Sequence, residues 1–374
     1  MKDPRFWPRV LLKALLLFIA LNLLFAAIQP LPALGKISAY NLLFPGRLRL
    51  PFGENSAVSY NLSLYNVDAM FASHEIAGAQ KDSDEFRVLV VGDSSVWGTL
   101  LKPQETLAGQ LNSANLTLCD GRRLRAFNLG YPTLSLTKDL MIIEEGMRYK
   151  PDLILWLVTL ESFPRDRQLE SPLVANNPAR IKSLVSTYDV YLDQNQLKSN
   201  DFLGRTIIGE RRGLADLIRL QSYGVMWAAT GVDQVYPADY EKAAHDLEAD
   251  TSFEGQTSGP LVSEDLSLDV LEAGFKAAGS TPVLLVNEPI MISSGENSDL
   301  RFNFYYPRWA YDDYRSILSS LAGQHDWNYL DLWNLVPETE YTNSAIHLTP
   351  AGEALLTQTI AAALPDAACP ASAP

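Results

Sequence analysis

A serine that follows an apolar strand has the sequence context of a catalytic nucleophile. Ser94 lies in GDSSVWG, residues 92–98, directly after the apolar run VLVV. Such a serine can attack an acyl group if a histidine takes its proton and amide groups stabilise the oxyanion that forms. Gly-Asp-Ser-Ser is also typical of a simple turn with an N-cap. On the tetrapeptide alone, the simple turn is the favoured interpretation.

His347 is the histidine best placed to take the proton of Ser94. It stands in NSAIHLTPAGEALL, just before a predicted closing helix with Thr349 as its N-cap and Pro350 in its first turn. This context predicts an imidazole at the edge of a sheet, where a nucleophile that follows a strand would also lie. The remaining histidines better fit packing or surface positions: His74, His245 and His325.

Two polar residues, Asn287 and Glu288, end a strongly apolar strand in VLLVNEPI. In open α/β sheets ligands bind beyond the carboxyl ends of the strands, so both side chains are candidates for substrate binding. A cap or a buried hydrogen bond to a loop explains them equally well. The pattern therefore leaves these two roles open.

The elements that must position these residues alternate along the chain. Apolar strands follow amphipathic helices over residues 86–364, which predicts an α/β fold, a three-layer α/β/α sandwich with a mostly parallel central sheet. The alternation loosens at about 166–265, an insertion that we expect to cap the carboxyl edge of the sheet. Residues 30–85 are predicted to form a juxtamembrane linker and edge element, and residues 365–374 a disordered tail.

The N-terminus carries a predicted membrane anchor, residues 1–29. Basic residues precede a nearly continuous apolar run over 10–28, close to the ~20 residues that cross a bilayer. The run lacks the small-residue cleavage site of a signal peptide, and an isolated apolar helix fits a bilayer better than a protein core. The basic flank predicts a single-pass protein whose C-terminal domain is extracytoplasmic.

Charge and cysteine content exclude several classes of function. The net charge is −14 although the first residues of the chain are basic, and an acidic body of this kind repels nucleic acid. The two cysteines, Cys119 and Cys369, form no Cys/His cluster that could hold a metal, and no motif requires a cofactor. The sequence leaves open whether the two cysteines pair.

In combination, the motifs resemble those of the SGNH/GDSL hydrolase family. GDSSVWG, which includes Asp93, matches the family's Gly-Asp-Ser-x-x-x-Gly block, and NLGYP supplies the glycine of its second block at Gly130. His347 stands before the C-terminal helix, as the family's histidine does. The resemblance covers 86–165 and 266–364, and it implies a flavodoxin-like sandwich.

The resemblance also implies roles for individual residues. Ser94 would be the nucleophile, His347 the general base, and the amides of Ser94 and Gly130 two donors to the oxyanion. The sequence departs from the family where Gly-x-Asn-Asp is expected, since VTLESF places Glu161 nearest to the asparagine. A carboxylate can donate to an oxyanion only when it is protonated.

The second departure concerns the acid, which the family keeps three residues before its histidine. That position is Ser344 here, with Asn343 one residue further back. Three interpretations follow for the group behind His347. A neutral group such as Asn343, Ser344 or a backbone carbonyl orients the imidazole; an acid comes from Asp331 or Glu288 at the strand ends; or the site is degenerate and binds glycan without turnover.

The expected function combines the site with the anchor. SGNH-like domains tethered by one N-terminal helix resemble the accessory proteins that work beside membrane-bound O-acyltransferases on cell-surface polysaccharide. This resemblance implies an extracytoplasmic serine esterase or O-acyltransferase that acts on an ester, an O-acetyl group above all, of a surface carbohydrate. The competing hypothesis is a non-catalytic glycan-binding or scaffold domain.

Overall fold

A six-stranded sheet lies at the centre of the described chain. The structure, a computed structural model, describes residues 5–37, 39–43, 46–52, 66–118, 121–197, 201–230 and 239–369. The strands are β1 Glu85–Val91, β2 Thr117–Leu118, β3 Arg122–Asn128, β4 Leu153–Val158, β5 Val283–Asn287 and β6 Asn328–Asp331. Their order is β2-β3-β1-β4-β5-β6, and each neighbouring pair is parallel except β2 with β3. The predicted mostly parallel sheet is confirmed.

Helices surround this sheet and precede it. The α-helices of the described residues, in chain order, are α1 Phe6–Ile28, α2 Leu31–Gly35, α3 Ala39–Leu43, α4 Val67–Ser73, α5 Glu75–Gly78, α6 Ser94–Trp97, α7 Leu107–Ser113, α8 Leu136–Gly146, α9 Pro172–Ala175, α10 Pro178–Tyr188, α11 Arg211–Thr230, α12 Leu268–Ala278, α13 Arg308–Gln324 and α14 Pro350–Ala368.

The alternation of side chains along β1 produces the three layers. Val88 and Val90 pack with α7 and α14 on one face of the sheet. Leu89 and Val91 pack with α8, α12 and α13 on the other face. Both faces are covered, so the strand is apolar at every position from 88 to 91, as expected for a buried parallel strand. The carboxyl ends of β1, β3, β4 and β5 lie at one edge of the sheet. The polar residues that follow these strands therefore lie at the same edge.

The chain enters this body through α1, which is long and apolar enough to cross a membrane by length and composition. Its apolar side chains are largely exposed, and only its last turns contact the body, where Ala26 is buried. Two residues separate α1 from α2. The body therefore begins directly at the end of the apolar helix.

The insertion starts and ends beyond the carboxyl end of β4. Pro164 and Leu266 form an antiparallel bridge, and Ser267 N–H donates to Phe163 O at 2.8 Å. At the C-terminus, α14 continues through Pro365 to Ala368 because Ala367 is buried against the sheet. Residues 365–368, which the sequence assigns to a disordered tail, are therefore the last residues of α14. Cys119, whose pairing the sequence leaves open, lies outside the described residues.

Candidate active site

The turn that carries Ser94 joins β1 to the short helix α6. Ser94 is the first residue of α6, and the preceding Asp93 is its N-cap, with Oδ1 accepting Ser95 N–H at 2.8 Å. Gly98 ends the helix at φ +85°, in the left-handed region that favours glycine. A half-buried serine is thus presented at the carboxyl edge of the sheet.

Ser94, His347 and Asn343 form a continuous chain of hydrogen bonds. Ser94 Oγ lies 2.8 Å from His347 Nε2, and His347 Nδ1 lies 2.8 Å from Asn343 Oδ1. An amide oxygen only accepts, so the proton of the neutral imidazole is on Nδ1. Nε2 is then left with a lone pair that accepts the Ser94 hydroxyl, which is the arrangement of a general base and its nucleophile.

The loop between β6 and α14 holds Asn343 and His347 together. Tyr341 and Leu348 form an antiparallel bridge, and Thr342 N–H donates to His347 O at 2.8 Å. Beyond the bridge, Thr349 caps α14 by accepting Gly352 N–H at 3.1 Å, as the sequence predicts. The tight loop brings the side chains of residues 343 and 347 to the same side.

Burial lowers the pKa of His347 to about 4. Desolvation is the cause, because the neutral Asn343 amide supplies no negative charge that would favour the imidazolium. The imidazole is therefore neutral at neutral pH and able to accept a proton. A histidine backed by a carboxylate would have a higher pKa.

The other groups considered behind His347 lie elsewhere. The Asp331 carboxylate pairs with Arg315 at 2.7 Å and accepts from Asn287 Nδ2 at 2.8 Å. Glu288 is hydrogen-bonded to Ser95 rather than to the histidine. Within the described residues Ser344 is buried and has no hydrogen bond to His347. The group that contacts the imidazole is Asn343.

Asn287 joins three elements and is fully buried. Besides its bond to Asp331, its Oδ1 accepts from Tyr311 at 3.3 Å and from Tyr314 at 3.2 Å. Its amide nitrogen and oxygen are thus used within the protein, and these bonds tie β5 to β6 and α13. Of the two roles considered for Asn287, the geometry fits the buried hydrogen bond and leaves no polar atom for a substrate.

Glu288 is buried against the turn that carries Ser94 and does not line an open pocket. Its carboxyl group accepts from Ser95 Oγ, and the carboxyl group of Asp93 lies close enough to shift its pKa. Burial and the neighbouring Asp93 carboxylate raise the pKa of Glu288 well above its usual range. Ser95 is thus held from two sides, since its N–H donates to Asp93 Oδ1 and its hydroxyl donates to Glu288.

The buried side chain of Lys138 also contacts the turn that carries Ser94. Lys138 is fully buried in α8, and its ammonium donates to Gly92 O at 2.6 Å and to Tyr131 O at 3.1 Å. It also pairs with Asp139 at 2.7 Å. The Lys138 charge partly offsets the effect of burial, which raises the pKa of Asp93.

The two amides expected to bind the oxyanion, those of Ser94 and Gly130, differ in their hydrogen bonds within the protein. Ser94 N–H has no acceptor among the described residues, since it opens α6. Gly130 N–H donates to Asn128 Oδ1 at 3.0 Å. A Cβ atom at Gly130 would lie 2.4 Å from Trp97 N, so the glycine is needed for close packing against α6. The Ser94 amide is the donor left unused within the protein.

Glu161 follows β4 and forms an ion pair with Arg167. Arg167 also pairs with Glu254 of the insertion at 2.6 Å. Burial raises the pKa of Glu161, and the Arg167 charge opposes this effect. The carboxylate is thus linked to the insertion by Arg167.

Two residues that the sequence did not identify, Lys138 and Arg49, also support the site. Arg49 is buried, and its Nη1 donates to Trp97 O at 3.2 Å, to Gly98 O at 2.9 Å and to Leu101 O at 3.1 Å. Its guanidinium also lies over the Trp97 ring at 4.1 Å. A lysine in a helix and an arginine in a predicted linker are usually solvated, so no local signal identifies them.

Comparison with known proteins gives structural matches only. No protein-family profile and no curated protein matches the chain. One similar structure is a member of the lipolytic protein G-D-S-L family from Veillonella parvula DSM 2008, at 9% identity and a TM-score of 0.34, covering 73% of this chain and 94% of that one. Another is the native M. smegmatis aryl esterase, at 13% identity and a TM-score of 0.34, covering 75% and 99%.

A third match is a carbohydrate acetylesterase family member from Sinorhizobium meliloti, at 12% identity and a TM-score of 0.32, covering 74% of this chain and 96% of that one. At such TM-scores the matches carry no weight for activity. The function is therefore inferred from the geometry around Ser94.

Proposed function

We propose that this protein is a serine esterase or O-acyltransferase of the SGNH/GDSL type that works through an acyl-Ser94 intermediate. The observation that carries the proposal is the hydrogen-bonded chain from Ser94 Oγ through His347 to Asn343 Oδ1, with both distances at 2.8 Å. A turn serine with a purely structural role has no need of a neutral, half-buried imidazole at this distance.

The reaction proceeds in two halves. His347 Nε2 takes the Ser94 proton while Oγ bonds to the ester carbonyl carbon, and the Ser94 amide donates to the oxyanion. The tetrahedral adduct collapses, the C–O bond to the alcohol breaks, and His347 returns the proton to the leaving oxygen. A water molecule or an acceptor hydroxyl then attacks the acyl group, and His347 acts as the base again.

Asn343 limits the rate but keeps the correct tautomer. In serine proteases an asparagine in place of the triad aspartate costs about 10⁴ in rate, because the imidazole then takes the wrong tautomer. Here Asn343 Oδ1 accepts the Nδ1 proton, so Nε2 is free to act as base. The missing contribution is the negative charge that would stabilise the imidazolium.

The substrate that we propose is an O-acetyl ester of a cell-surface carbohydrate, with the domain outside the cytoplasm. The exposed apolar α1 next to a basic N-terminus supports this location. The partner implied by the resemblance, a membrane-bound O-acyltransferase, would supply or receive the acyl group. The insertion beyond β4 provides the surface that would select the carbohydrate.

The test uses the full-length chain in detergent, with a fluorophosphonate probe and p-nitrophenyl acetate. We expect the wild type to be labelled on Ser94 and to hydrolyse the ester, and Ser94→Ala to lose both. Ser113→Ala, which removes an exposed hydroxyl on α7, is the matched control and should retain both. Equal hydrolysis by Ser94→Ala and wild type would contradict the proposal.

The competing function is a glycan-binding domain without turnover. Two observations favour it, the Glu161 carboxylate near the expected position of an oxyanion donor and the absence of a carboxylate in contact with His347 among the described residues. This alternative predicts no labelling of Ser94, together with carbohydrate binding that Ser94→Ala leaves unchanged.

A further inference from the structure

We propose that an apolar collar beside the end of α1 lies in the lipid interface and holds the body against the membrane. The proposal rests on the membrane anchor in the proposed function and adds a second lipid contact to it. We define the apolar collar by its exposed apolar side chains in residues 31–43, residues 201–210 and α11: Leu34, Ile37, Leu43, Phe202, Leu203, Ile208, Ile218 and Met226.

The collar residues are unusually exposed for large apolar side chains. Leu203 is 72% exposed, Leu43 66% and Ile218 63%. Single exposed apolar residues are common on protein surfaces, but a cluster of them marks an interaction site. Elsewhere in the described body, exposed residues of this kind are scattered over separate elements, such as Val262, Leu300 and Leu355.

The segments of the collar are adjacent in space although they are far apart in sequence. Arg205 and Glu210 line one cavity with Phe25 at the end of α1 and Leu31 of α2. Gln221 of α11 accepts from Ala39 N–H at 2.6 Å and donates to Ile37 O at 2.9 Å. Leu31 of α2 packs near Gly213 of α11, since a Cβ at Gly213 would lie 3.4 Å from Leu31 Cδ1. One surface therefore runs from the end of α1 across α2 and α3 to α11.

The length of α1 places this surface at the edge of a bilayer. A helix of 23 residues is about 35 Å long, and the hydrocarbon core is about 30 Å thick. With the basic N-terminus on the inner side, Ile28 reaches the outer interface. Leu31 begins α2 only three residues later, so the collar lies at the level of the headgroups and the first acyl carbons.

The charges around the collar favour lipid as its occupant. Lys36, Arg211 and Arg212 are exposed beside it, in a protein whose net charge is −14. Apolar side chains next to basic ones are typical of surfaces that bind the membrane interface, where the cations contact anionic headgroups. The acidic residues of the same region are Asp201, Glu210 and Asp216. Of these, Asp216 forms an ion pair with Arg219 at 3.2 Å.

The test is site-specific photocrosslinking of the full-length chain in nanodiscs of phosphatidylcholine and phosphatidylglycerol. A benzophenone amino acid replaces Leu203 or Ile218 in the collar, Leu16 in α1, or Leu355 in α14 as the matched control. Mass spectrometry identifies each adduct. We expect lipid adducts at 16, 203 and 218, at least tenfold above those at 355.

The outcomes separate the collar from the anchor and from the esterase. Lipid adducts at 16 alone would overturn the collar and retain the anchor. Adducts at 203 and 218 without one at 16 would support the collar and refute the spanning helix. In native membranes, protein adducts at 203 and 218 without lipid adducts would show that a protein partner, not lipid, covers the collar. That result would overturn the proposal. Fluorophosphonate labelling of Ser94 in the same samples reports the esterase independently.

Discussion

His347 Nδ1 lies 2.8 Å from Asn343 Oδ1, so an amide occupies the place behind the imidazole where a carboxylate would be expected. The amide oxygen selects the tautomer in which Nε2 faces Ser94 Oγ. It does not raise the basicity of the ring, and burial lowers the pKa of His347 to about 4. The site is thus arranged for proton transfer but lacks one stabilising charge.

Asn343→Asp is expected to increase the rate of ester hydrolysis and to change its pH dependence. The new carboxylate would stabilise the imidazolium, so kcat should rise by about tenfold or more. It would also raise the pKa of His347. The wild-type kcat/KM should fall only as the pH drops toward 4, whereas the variant should lose activity at a higher pH.

The measurement is a pH profile of kcat/KM for p-nitrophenyl acetate between pH 4 and 8. Ser344→Ala is the control, because Ser344 has no hydrogen bond to His347 among the described residues, and its profile should match the wild type. Identical acid limbs for Asn343→Asp and the wild type would show that Asn343 does not act on the histidine.

Glu288→Gln is expected to be mild, whereas Glu288→Ala is expected to be damaging. Burial and the Asp93 carboxylate raise the pKa of Glu288 and so disfavour its charged form. A neutral glutamine amide can still accept from Ser95 and donate to the neighbouring Asp93 carboxylate. The alanine variant removes the acceptor of the Ser95 hydroxyl, and an unsatisfied polar group at a buried site costs about 1–3 kcal/mol. Melting temperature and kcat should both distinguish the variants. Equal losses from the two substitutions would mean that Glu288 acts as an ionised carboxylate.

Lys138→Met is expected to reduce the free energy of unfolding by about 3–5 kcal/mol, because it leaves Asp139 as an unpaired buried charge. Lys138→Met with Asp139→Asn should recover part of the loss, since the charge is then absent. Denaturant titrations of the single and double variants measure the coupling. Additive losses would show that the ion pair does not stabilise the fold.

Glu353→Gln is expected to stabilise the protein at alkaline pH. Burial raises the pKa of Glu353 to about 8, so the folded state keeps the carboxyl group neutral. The unfolded chain ionises near the usual pKa, so stability falls as the pH rises from about 4.5 to 8, by about 1.4 kcal/mol per unit. The variant should melt several degrees higher than the wild type at pH 9 and equally at pH 4.

The control for this prediction is Glu272→Gln, which neutralises a partly exposed acid on α12. Its melting temperature should follow the wild type at both pH values. If Glu353→Gln gives no greater stabilisation at pH 9 than at pH 4, Glu353 is not a neutral buried group in the folded state.

The sequence by itself predicted the sheet and the places of Ser94 and His347 at its edge. Continuous apolar runs such as 88–91 require burial on both faces, and the turn at Ser94 and the loop before α14 follow from local residue types. Both features depend on neighbours in the chain, so their signal is local. The same reasoning located His347, because a capped helix start directly after it defines where the imidazole stands.

Only the tertiary structure decided which group lies behind His347. Asn343, Ser344, Asp331 and Glu288 all occur near strand ends or loops at one edge, and their types alone do not rank them. The choice depends on the direction of each side chain and on its competing partners, which are Arg315 for Asp331 and Ser95 for Glu288. These contacts join residues far apart in the chain, so no local pattern in the sequence could contain them.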